Sequence, residues 1–249
     1  MNPDQPLRPL RLAHAADIHL DTDHHDGGHN IAQRDYCRGV FRKLLDRIEA
    51  QGPDLLLLPG DLFDSNRASA GTLEWAAEQL AGLPFPVILI PGNHDCLEPG
   101  SVYQRWGWEG ISNLQFLGAP EGERRLIEEL GVAVWGRGMI THHPDFLPLA
   151  NLPAPLAGRW NLGLGHGIFT GDSGPSYRSS PIRAAQIASS GYHYLALGHH
   201  HMRLEVTQGG TTAWFSGSPI PLTRERKGTW LSVALDPGQP ARVSLHELD

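Results

Sequence analysis

Cysteine is scarce in this sequence: Cys37 and Cys96 are the only two among 249 residues. Two cysteines cannot build a disulfide framework, and they offer too few thiolates for a cysteine-rich zinc site. The sequence also lacks an apolar stretch long enough to cross a membrane, and residues 1–15 lack the apolar segment of a signal peptide. We therefore expect a cytoplasmic protein kept in a reducing compartment.

Positive charge is in deficit as well. Acidic residues number 27 and basic residues 20, so the formal net charge is −7. Such a surface disfavours broad, sequence-independent binding to nucleic acid. Bound divalent cations would reverse the sign locally, so this argument applies to the surface and not to a metal site. Histidine, the commonest metal ligand, is frequent at 14 residues, and its spacing indicates which rings are ligands.

Apolar strands and amphipathic helices alternate along the first half of the sequence. The pattern predicts strands at residues 9–16, 55–58 and 86–90, separated by helices at 32–50 and 71–82. Such alternation favours an α/β layered fold, and the continuous apolar runs of the second and third strands indicate strands covered on both faces. Further strands are predicted at 114–117, 132–135, 162–165 and 194–197, and antiparallel strands with short turns at 203–207, 212–216, 229–235 and 241–247.

Polar side chains follow the first three predicted strands at the points where the strands end. Asp17 and His19 come after the first strand and, at positions i and i+2 of an extended backbone, point to the same side. Asp61 follows the second strand in Gly-Asp-Leu-Phe-Asp, and Asn93 follows the third in Gly-Asn-His-Asp. Each motif alone is also compatible with a turn or a helix cap. Their repetition at the carboxyl ends of successive strands, where α/β sheets bind ligands, favours a functional site.

Histidines follow two later strands in the same way. His166 comes after NLGL and, taken alone, is compatible with a purely structural role. In Gly-His-His-His after YLAL, His199 and His201 share one face of the backbone, whereas His200 points to the other. We therefore interpret the outer two as ligands and His200 as a structural or supporting residue.

Together these side chains form a donor set of two carboxylates, at least three imidazoles and one amide. Such donors suit manganese, iron or zinc, and the lack of thiolates disfavours a structural zinc knot. The set is large enough for two ions that share a bridging carboxylate. Two-metal sites hold their ions about 3.5–4 Å apart and clamp both the attacking and the leaving oxygen of a phosphoryl transfer. The candidate ligands are Asp17, His19, Asp61, Asn93, His166, His199 and His201.

The order of the motifs resembles that of the calcineurin-like metallophosphoesterases: D-x-H, G-D-L-F-D, G-N-H-D, a single H and G-H-x-H, all complete here. Within that superfamily, HAADIHLD, GDLFD, ALGHHH and GSPIPL at 217–222 are similar to DNA repair nucleases of the SbcD type. The resemblance implies an α/β fold in which two mixed β-sheets form a sandwich flanked by helices, in four layers, with the metal site at the carboxyl ends of the strands. The motifs run without a linker, so we expect one domain over residues 1–249.

The resemblance also implies a role for each matching residue. One metal ion would be held by Asp17, His19 and His201 and the other by Asn93, His166 and His199, with Asp61 bridging the two. His94 would not bind metal but would face the scissile phosphate, where it either protonates the leaving oxygen or stabilises charge on it. Asp64 would either orient His94 or cap the following turn. The implied cofactors are two divalent ions, with Mn²⁺ favoured and iron or zinc as alternatives.

The sequence departs from the larger repair nucleases after GSPIPL. Only residues 223–249 follow, so a DNA-capping domain and a segment that docks an ATPase partner are not expected, and such a partner is doubtful. We therefore predict a metal-dependent phosphodiesterase that cuts single-stranded DNA, as an endonuclease, an exonuclease or both, in DNA repair. Two alternatives stay open. One is a hydrolase of cyclic nucleotides or nucleotide esters, which would use the same metal chemistry. The other is a metal-free interaction scaffold, against which the complete ligand set argues.

Three further residues are candidates for contact with the substrate. Arg67 follows G-D-L-F-D, and Tyr177 and Arg178 lie in the Gly-, Ser- and Pro-rich segment at 171–181. An aromatic ring can stack on a base, and a guanidinium can pair with a phosphate of a DNA strand. The same segment is also typical of an ordinary surface loop.

Overall fold

The computed structural model describes residues 7–22, 31–143, 145–171, 180–220 and 227–248. In this part of the chain, no helix is both long and apolar enough to span a membrane. The helices are α1 (Ile31–Gln51), α2 (Ala70–Ala81) and α3 (Ala184–Ser190), with short 3-10 turns at Trp108–Gly110 and Glu128–Leu130. The strands are β1 (Leu10–His14), β2 (Leu55–Pro59), β3 (Val87–Ile90), β4 (Leu114–Phe116), β5 (Glu123–Ile127), β6 (Val132–Gly136), β7 (Trp160–His166), β8 (Ile168–Gly171), β9 (Pro181–Arg183), β10 (Tyr194–Gly198), β11 (Leu204–Glu205), β12 (Thr212–Phe215), β13 (Gly228–Leu235) and β14 (Arg242–Leu248).

Most of these strands form two mixed sheets of six strands each. The first sheet has the order β14-β13-β1-β2-β3-β4, and the second has the order β11-β12-β10-β7-β6-β5. Strands β1 to β4 run parallel, as do β6, β7, β10 and β12. Antiparallel strands complete one side of the first sheet and both edges of the second. The predicted α/β architecture of two mixed sheets is therefore confirmed.

The two sheets pack face to face around a core built from alternate side chains. Leu55 and Leu57 of β2 belong to the buried cluster between the sheets, together with Leu162 of β7. Leu56 and Leu58 belong to a second cluster on the opposite face of the first sheet. Both faces of β2 are covered, which is why its sequence is a continuous run of leucines. Burying each of these side chains stabilises the fold by about 1.5–3 kcal/mol.

Helices cover the outer faces of both sheets. α1 contributes Phe41 and Leu44, and α2 contributes Leu73, to the cluster on the outer face of the first sheet. α3 contributes Ile187 to a cluster on the outer face of the second sheet, where it joins Leu195 of β10. The resulting order is helix, sheet, sheet, helix, which gives the four layers implied by the family resemblance.

Four elements of the structure do not follow from the sequence patterns: β5, β8, β9 and α3. β5 has the sequence ERRLI and lies at an edge of the second sheet, so its charged side chains reach solvent and conceal the alternation typical of a strand. β8 and β9 have four and three residues and form a separate pair. α3 has seven residues, too few to show a helical period.

The last four strands are divided between the two sheets, a division that the sequence does not indicate. The prediction of antiparallel pairing is correct for β11 with β12 and for β13 with β14. It does not hold for β12 with β13, which do not pair: β12 runs parallel to β10 in the second sheet. Strand β13 returns to the first sheet and pairs antiparallel with β1. Local turns thus account for only part of the pairing, because contacts between distant segments decide which sheet each strand joins.

Candidate metal centre

The predicted ligands lie at the carboxyl ends of five parallel strands. Asp17 follows β1, Asp61 follows β2 and Asn93 follows β3, all in the first sheet. His166 is the last residue of β7, and His199 comes directly after β10, both in the second sheet. Parallel neighbours end at the same edge of a sheet, and the two sheets pack face to face. The loops that follow the strands therefore meet at one end of the sandwich.

Four of the predicted ligands have a left-handed backbone. The φ angles are 56° at Asp17, 52° at His19, 53° at Asp61 and 102° at His199. Such a conformation costs a non-glycine residue on the order of 1–3 kcal/mol and is concentrated at functional sites. Hydrogen bonds hold it in place: the His199 N–H donates to both carboxylate oxygens of Asp17, at 2.9 and 3.1 Å. The N–H groups of Ile18 and His19 donate to the Asp61 carbonyl oxygen.

Asp17, His19 and His201 form one half of the cluster, with candidate ligand atoms that all lie within 4.8 Å of one another. The Nε2 atoms of His19 and His201 are 3.1 Å apart. His19 Nδ1 faces Asp64 Oδ1 at 3.1 Å, so the carboxylate fixes the tautomer and directs the lone pair of Nε2 into the cluster. His201 Nδ1 is buried and has no hydrogen-bond partner among the described residues.

Asn93 joins the other half of the cluster. Its Oδ1 lies 2.9 Å from His166 Nε2 and 2.8 Å from His199 Nδ1. His166 is fully buried, and its Nδ1–H donates to the Pro59 carbonyl oxygen at 2.9 Å. A neutral His166 therefore presents the lone pair of Nε2 to the Asn93 oxygen. Two acceptors this close require a positive charge, supplied either by a proton on the ring or by a cation.

Asp61 lies between the two halves. Its Oδ2 is 3.3 Å from His166 Nε2 and 3.8 Å from His19 Nε2. Burial by itself would raise the pKa of Asp61, but the charges of His166 and His19 outweigh it and hold the pKa below its usual range. Burial likewise favours the neutral form of His166, yet Asp61 outweighs this effect and raises the pKa of that ring to about 9. An ionised carboxylate with an imidazole on each side is suited to bridge two cations.

The loops that follow β2 and β3 pack closely against the site, and this explains the glycines at positions 60 and 92. A Cβ atom added at Gly92 would lie 2.2 Å from Asp61 Oδ1, and one added at Gly60 would lie 2.3 Å from His166 Nδ1. Gly60 also has φ +92°, a conformation that L-residues rarely adopt. The glycine before each motif is therefore required by the site itself as well as by the turn.

His94 is the solvent-facing member of the cluster. Its side chain is 42% exposed, and its Nδ1–H donates to the Asp64 carbonyl oxygen at 2.8 Å. This bond leaves Nε2 as the ring nitrogen available to a substrate. The His94 backbone N–H donates to Asp61 Oδ1 at 2.9 Å. Asp64 thus contacts His94 through its backbone, whereas its carboxylate holds His19. The Asp64 carboxylate also lies 3.9 Å from His94 Nδ1, and its role as the group that orients His94 stays a prediction.

Asp95 is a buried anchor that the sequence motifs did not single out. Its carboxylate accepts hydrogen bonds from the Gly92 N–H at 2.7 Å and the Phe63 N–H at 3.1 Å. It also accepts one from the Tyr103 O–H at 2.7 Å. One carboxylate therefore ties the loop that carries Asp61 to the loop that carries Asn93 and His94. The last letter of G-N-H-D was a signal for this role, but nothing in the sequence indicated Tyr103.

Two other histidines lie beside the cluster. His200 turns away from it, because its Nδ1–H donates to the Met202 carbonyl oxygen at 2.7 Å. His142 is exposed. Burial lowers the pKa of His199 to about 4, and the charge of His142 is one of the further causes. His142 therefore lies close enough to His199 for its charge to act on that ring, and no motif indicated this.

The predicted substrate contacts are less well defined than the ligands. Arg67 is exposed, three residues beyond Asp64, and its backbone N–H donates to Ser65 Oγ at 3.2 Å. Tyr177 and Arg178 lie outside the described residues.

The chemistry of the cluster fits divalent cations. The facing Nε2 atoms of His19 and His201 and a carboxylate between imidazoles leave more acceptors than donors at its centre. Four imidazoles, two carboxylates and an amide oxygen are enough for two ions and suit transition metals better than magnesium. Three overlapping groups of residues have the spacing of metal ligands: Asp17 with His19 and His201, His19 with Asp61 and His94, and Asp17 with Asp61 and His166.

Comparisons with known proteins agree with this interpretation of the site. Residues 10–203 match the family described as calcineurin-like phosphoesterase. The chain is 28% identical over 236 residues to the DNA double-strand break repair protein Mre11 of Methanopyrus kandleri, covering 86% of this chain and 49% of that protein. It is 34% identical over 88 residues to a probable cyclic nucleotide phosphodiesterase of Pseudoalteromonas sp., covering 34% of this chain and 31% of that protein. The chain thus spans half or less of the length of these relatives.

A solved structure shares the fold. The crystal structure of TT1561 from Thermus thermophilus superimposes with a TM-score of 0.63 over 96% of this chain and 99% of that chain. The sequence identity is 12%, so the likeness supports the architecture and does not extend to substrate.

Proposed function

We propose, because this chain belongs to the calcineurin-like phosphoesterase family, that it is a metal-dependent phosphodiesterase that cuts single-stranded DNA. The observation that carries the choice of DNA is the extent of similarity. Likeness to the Mre11 protein covers 86% of this chain, whereas likeness to the phosphodiesterase covers 34%. The name of the same relative is the support for including a role in DNA repair in this proposal.

Two divalent cations are part of this proposal. We favour manganese, because a site with four imidazole ligands suits manganese better than it suits magnesium. When bound, the ions would lower the pKa of water and neutralise charge on the phosphate. Asp61 is suited to bridge them, because it lies within 4 Å of imidazoles on both sides. The remaining ligands would be Asp17, His19 and His201 on one side and Asn93, His166 and His199 on the other.

His94 is the proposed catalytic side chain. Its Nδ1–H is held by the Asp64 carbonyl oxygen, so Nε2 is the atom that would give a proton to the leaving oxygen or stabilise its charge. The exposure of the ring, 42%, keeps this nitrogen within reach of a polymer. The carboxylate of Asp64 contributes indirectly, because it fixes the ring of His19.

A single strand is the proposed form of the DNA. The net charge of −7 gives little general attraction for a duplex, whereas a flexible strand can bring one phosphate to the cluster. Arg67 is the proposed phosphate contact within the described residues, and Tyr177 and Arg178 are proposed to stack on and pair with the strand. Contacts this few predict low affinity.

The test compares three substrates in manganese at low salt: circular single-stranded DNA, end-labelled linear duplex and bis-p-nitrophenyl phosphate. The first two are supplied at equal nucleotide concentration. Nicking of the circle, which has no ends, supports the proposal, and His94→Ala serves as the inactive control. Exclusive release of mononucleotides from duplex ends, with the circle intact, rejects it in favour of an exonuclease.

A small-molecule phosphoesterase is the second candidate. The observation in its favour is the 34% identity over 88 residues to a probable cyclic nucleotide phosphodiesterase. This candidate predicts hydrolysis of cyclic nucleotides and of bis-p-nitrophenyl phosphate, with both DNA substrates left intact.

A further inference from the structure

A cavity of about 210 Å³ lies on the outer face of the first sheet, beside the end of α1. It is lined by β1, β13 and β14, near the beginning of β1, whereas the metal centre lies beyond the end of that strand. Its volume is below the roughly 300–1,000 Å³ of pockets that hold drug-sized ligands. A ligand of this cavity must therefore be small, or must insert only one group.

Two arginines stand on either side of the cavity. Arg11 on β1 pairs with Ala234 on β13, and Ala234 pairs with Arg242 on β14. Neighbouring strands lie about 4.8 Å apart, so the Cα atoms of the arginines are separated by about 10 Å. Side chains directly opposite one another in adjacent strands leave the same face of a sheet. Ala234 therefore lies between the two arginines on this face, and all three residues line the cavity.

The next row along the strands provides hydroxyl groups. Ala13 on β1 pairs with Ser232 on β13, which pairs with Ser244 on β14. Both serines line the cavity, and Ser232 Oγ lies 2.8 Å from His246 Nε2. The small side chains of Ala234, Ser232 and Ser244 leave room for the cavity, and Trp230 also lines it.

The charges around the cavity favour an anion. No acidic side chain is among the residues described as lining it. Asp54, close to Arg11, accepts hydrogen bonds from the Arg8 guanidinium at 3.1 Å and from the Arg11 backbone N–H at 2.7 Å. Arg242 forms an ion pair with Asp236 at 2.6 Å, which uses only part of its five donors. The end of α1 adds about half a negative charge, less than the charge of either guanidinium.

We propose that this cavity is a phosphate-binding site, with Arg11 and Arg242 gripping the phosphate oxygens and the serine hydroxyls completing the contacts. Guanidinium groups bind phosphate through paired N–H donors, and two arginines line a cavity whose volume of about 210 Å³ admits a small anion or one inserted group. The phosphate comes either from the backbone of a DNA strand or from a free phosphate or nucleotide. The site depends on neither the metal centre nor the proposed function.

The test follows the backbone amides of Ser232, Ala234 and Ser244 by ¹H–¹⁵N NMR of the full chain, with Zn²⁺ as a diamagnetic ion. Inorganic phosphate is titrated at constant ionic strength, balanced with chloride. We expect saturable shifts at these amides. Losing two charge-assisted hydrogen-bond partners should weaken binding at least tenfold, so Arg11→Gln/Arg242→Gln should need at least ten times more phosphate.

Two variants make the result specific to this cavity. Arg8→Gln removes a nearby arginine that does not line it and should bind phosphate like the wild type. Ala234→Leu keeps both arginines but fills the space between them, and should abolish the shifts. Binding at the metal centre cancels in these comparisons, because all variants keep that site.

The source of the phosphate is decided by two further probes. Thymidine 5′-monophosphate reports a free nucleotide, and tetrathymidylate without terminal phosphates, checked for integrity afterwards, reports a DNA backbone. Saturation by either probe supports the site and names its source. Shifts at these amides that never saturate with any of the three probes, or that persist unchanged in both cavity variants, overturn the proposal.

Discussion

Two fully buried histidines, one in the sandwich core and one in the metal centre, differ in the direction in which the structure shifts their pKa. His14 lies at the end of β1, with Nδ1 2.8 Å from the Tyr194 hydroxyl and no carboxylate among its recorded contacts. Burial lowers the pKa of His14 to about 3. His166 is equally buried, yet Asp61 overcomes the cost of burial and raises its pKa to about 9. Burial alone thus neutralises an imidazole, and a neighbouring carboxylate is what makes a buried imidazole part of a site that holds charge.

Removing Asp61 should have the largest effect, because it takes away the carboxylate that distinguishes the metal centre from the core. Asp61→Ala takes away the carboxylate shared by both halves of the cluster, so we expect both ions to be lost and phosphodiesterase activity to fall by at least about 10³-fold. Metal content by atomic emission and initial rates on bis-p-nitrophenyl phosphate measure the two effects. Asp54→Ala, which removes a surface carboxylate paired with Arg8, is the matched control. Full metal content in Asp61→Ala would show that the carboxylate is not a shared ligand.

Removing His94 should separate chemistry from metal binding. His94→Ala leaves every proposed ligand in place, so metal content should match the wild type while kcat falls roughly 10²–10⁴-fold. His143→Ala, which removes another exposed histidine, should leave both quantities unchanged. A His94→Ala protein that cannot retain metal would reassign this ring as a ligand.

The low pKa of His14 in the core predicts that the stability of the protein depends on pH. Its pKa is lower in the folded protein than in the unfolded chain, so protons bind preferentially to the unfolded state between about pH 6.5 and pH 3. Stability from the neutral ring is therefore complete above pH 6.5 and is lost as the pH falls. From pH 7 to pH 5 this loss amounts to about 2 kcal/mol.

Urea unfolding at the two pH values, for wild type and His14→Gln, measures that loss. The variant should be less stable at pH 7 but should lose about 2 kcal/mol less between pH 7 and pH 5. His143→Gln, which changes an exposed ring, should behave like the wild type. Identical pH dependence in wild type and His14→Gln would mean that His14 does not titrate as its burial implies.

The smallest expected effect tests the anchor of the metal-site loops. Tyr103→Phe removes one of three hydrogen bonds to Asp95 and should cost about 1–2 kcal/mol of stability. Because the two backbone donors to Asp95 remain, activity should fall less than tenfold, with metal content preserved. Tyr192→Phe deletes a hydroxyl that bonds to the Pro153 carbonyl oxygen, far from Asp95 in the sequence. A similar loss of stability with unchanged kcat is expected there.

Motifs predicted the metal centre better than periodicity predicted the sheets. Asp17, Asp61 and Asn93 each follow an apolar strand, so the sequence alone indicated that they meet at one edge. The placement of β12 and β13 was not predictable, because it depends on pairing with β10 and β1, far away in the chain. The sequence pattern did not predict edge strand β5, because its charged side chains face solvent.

Supporting contacts within the site were also beyond reach of the sequence. The motif left open whether Asp64 orients His94 or caps a turn, and it did not indicate that the carboxylate of Asp64 also contacts His19. Tyr103 and His142 carried no motif at all. Spacing along a chain identifies donors at strand ends, whereas partners brought in from other loops depend on three-dimensional packing.

The contacts of Asp17 have a consequence for the order of assembly during synthesis. This residue lies near the beginning of the chain, yet its carboxylate is held by the His199 N–H and its carbonyl oxygen by the Ser218 hydroxyl, 182 and 201 positions away. Strand β1, which leads to it, also waits for β13 as a neighbour. Contacts across such sequence distances form slowly, since a long loop must close first. The cluster is therefore completed only after the segment that contains Ser218 has been synthesised, and any metal ion that uses all of these ligands would be bound late in folding.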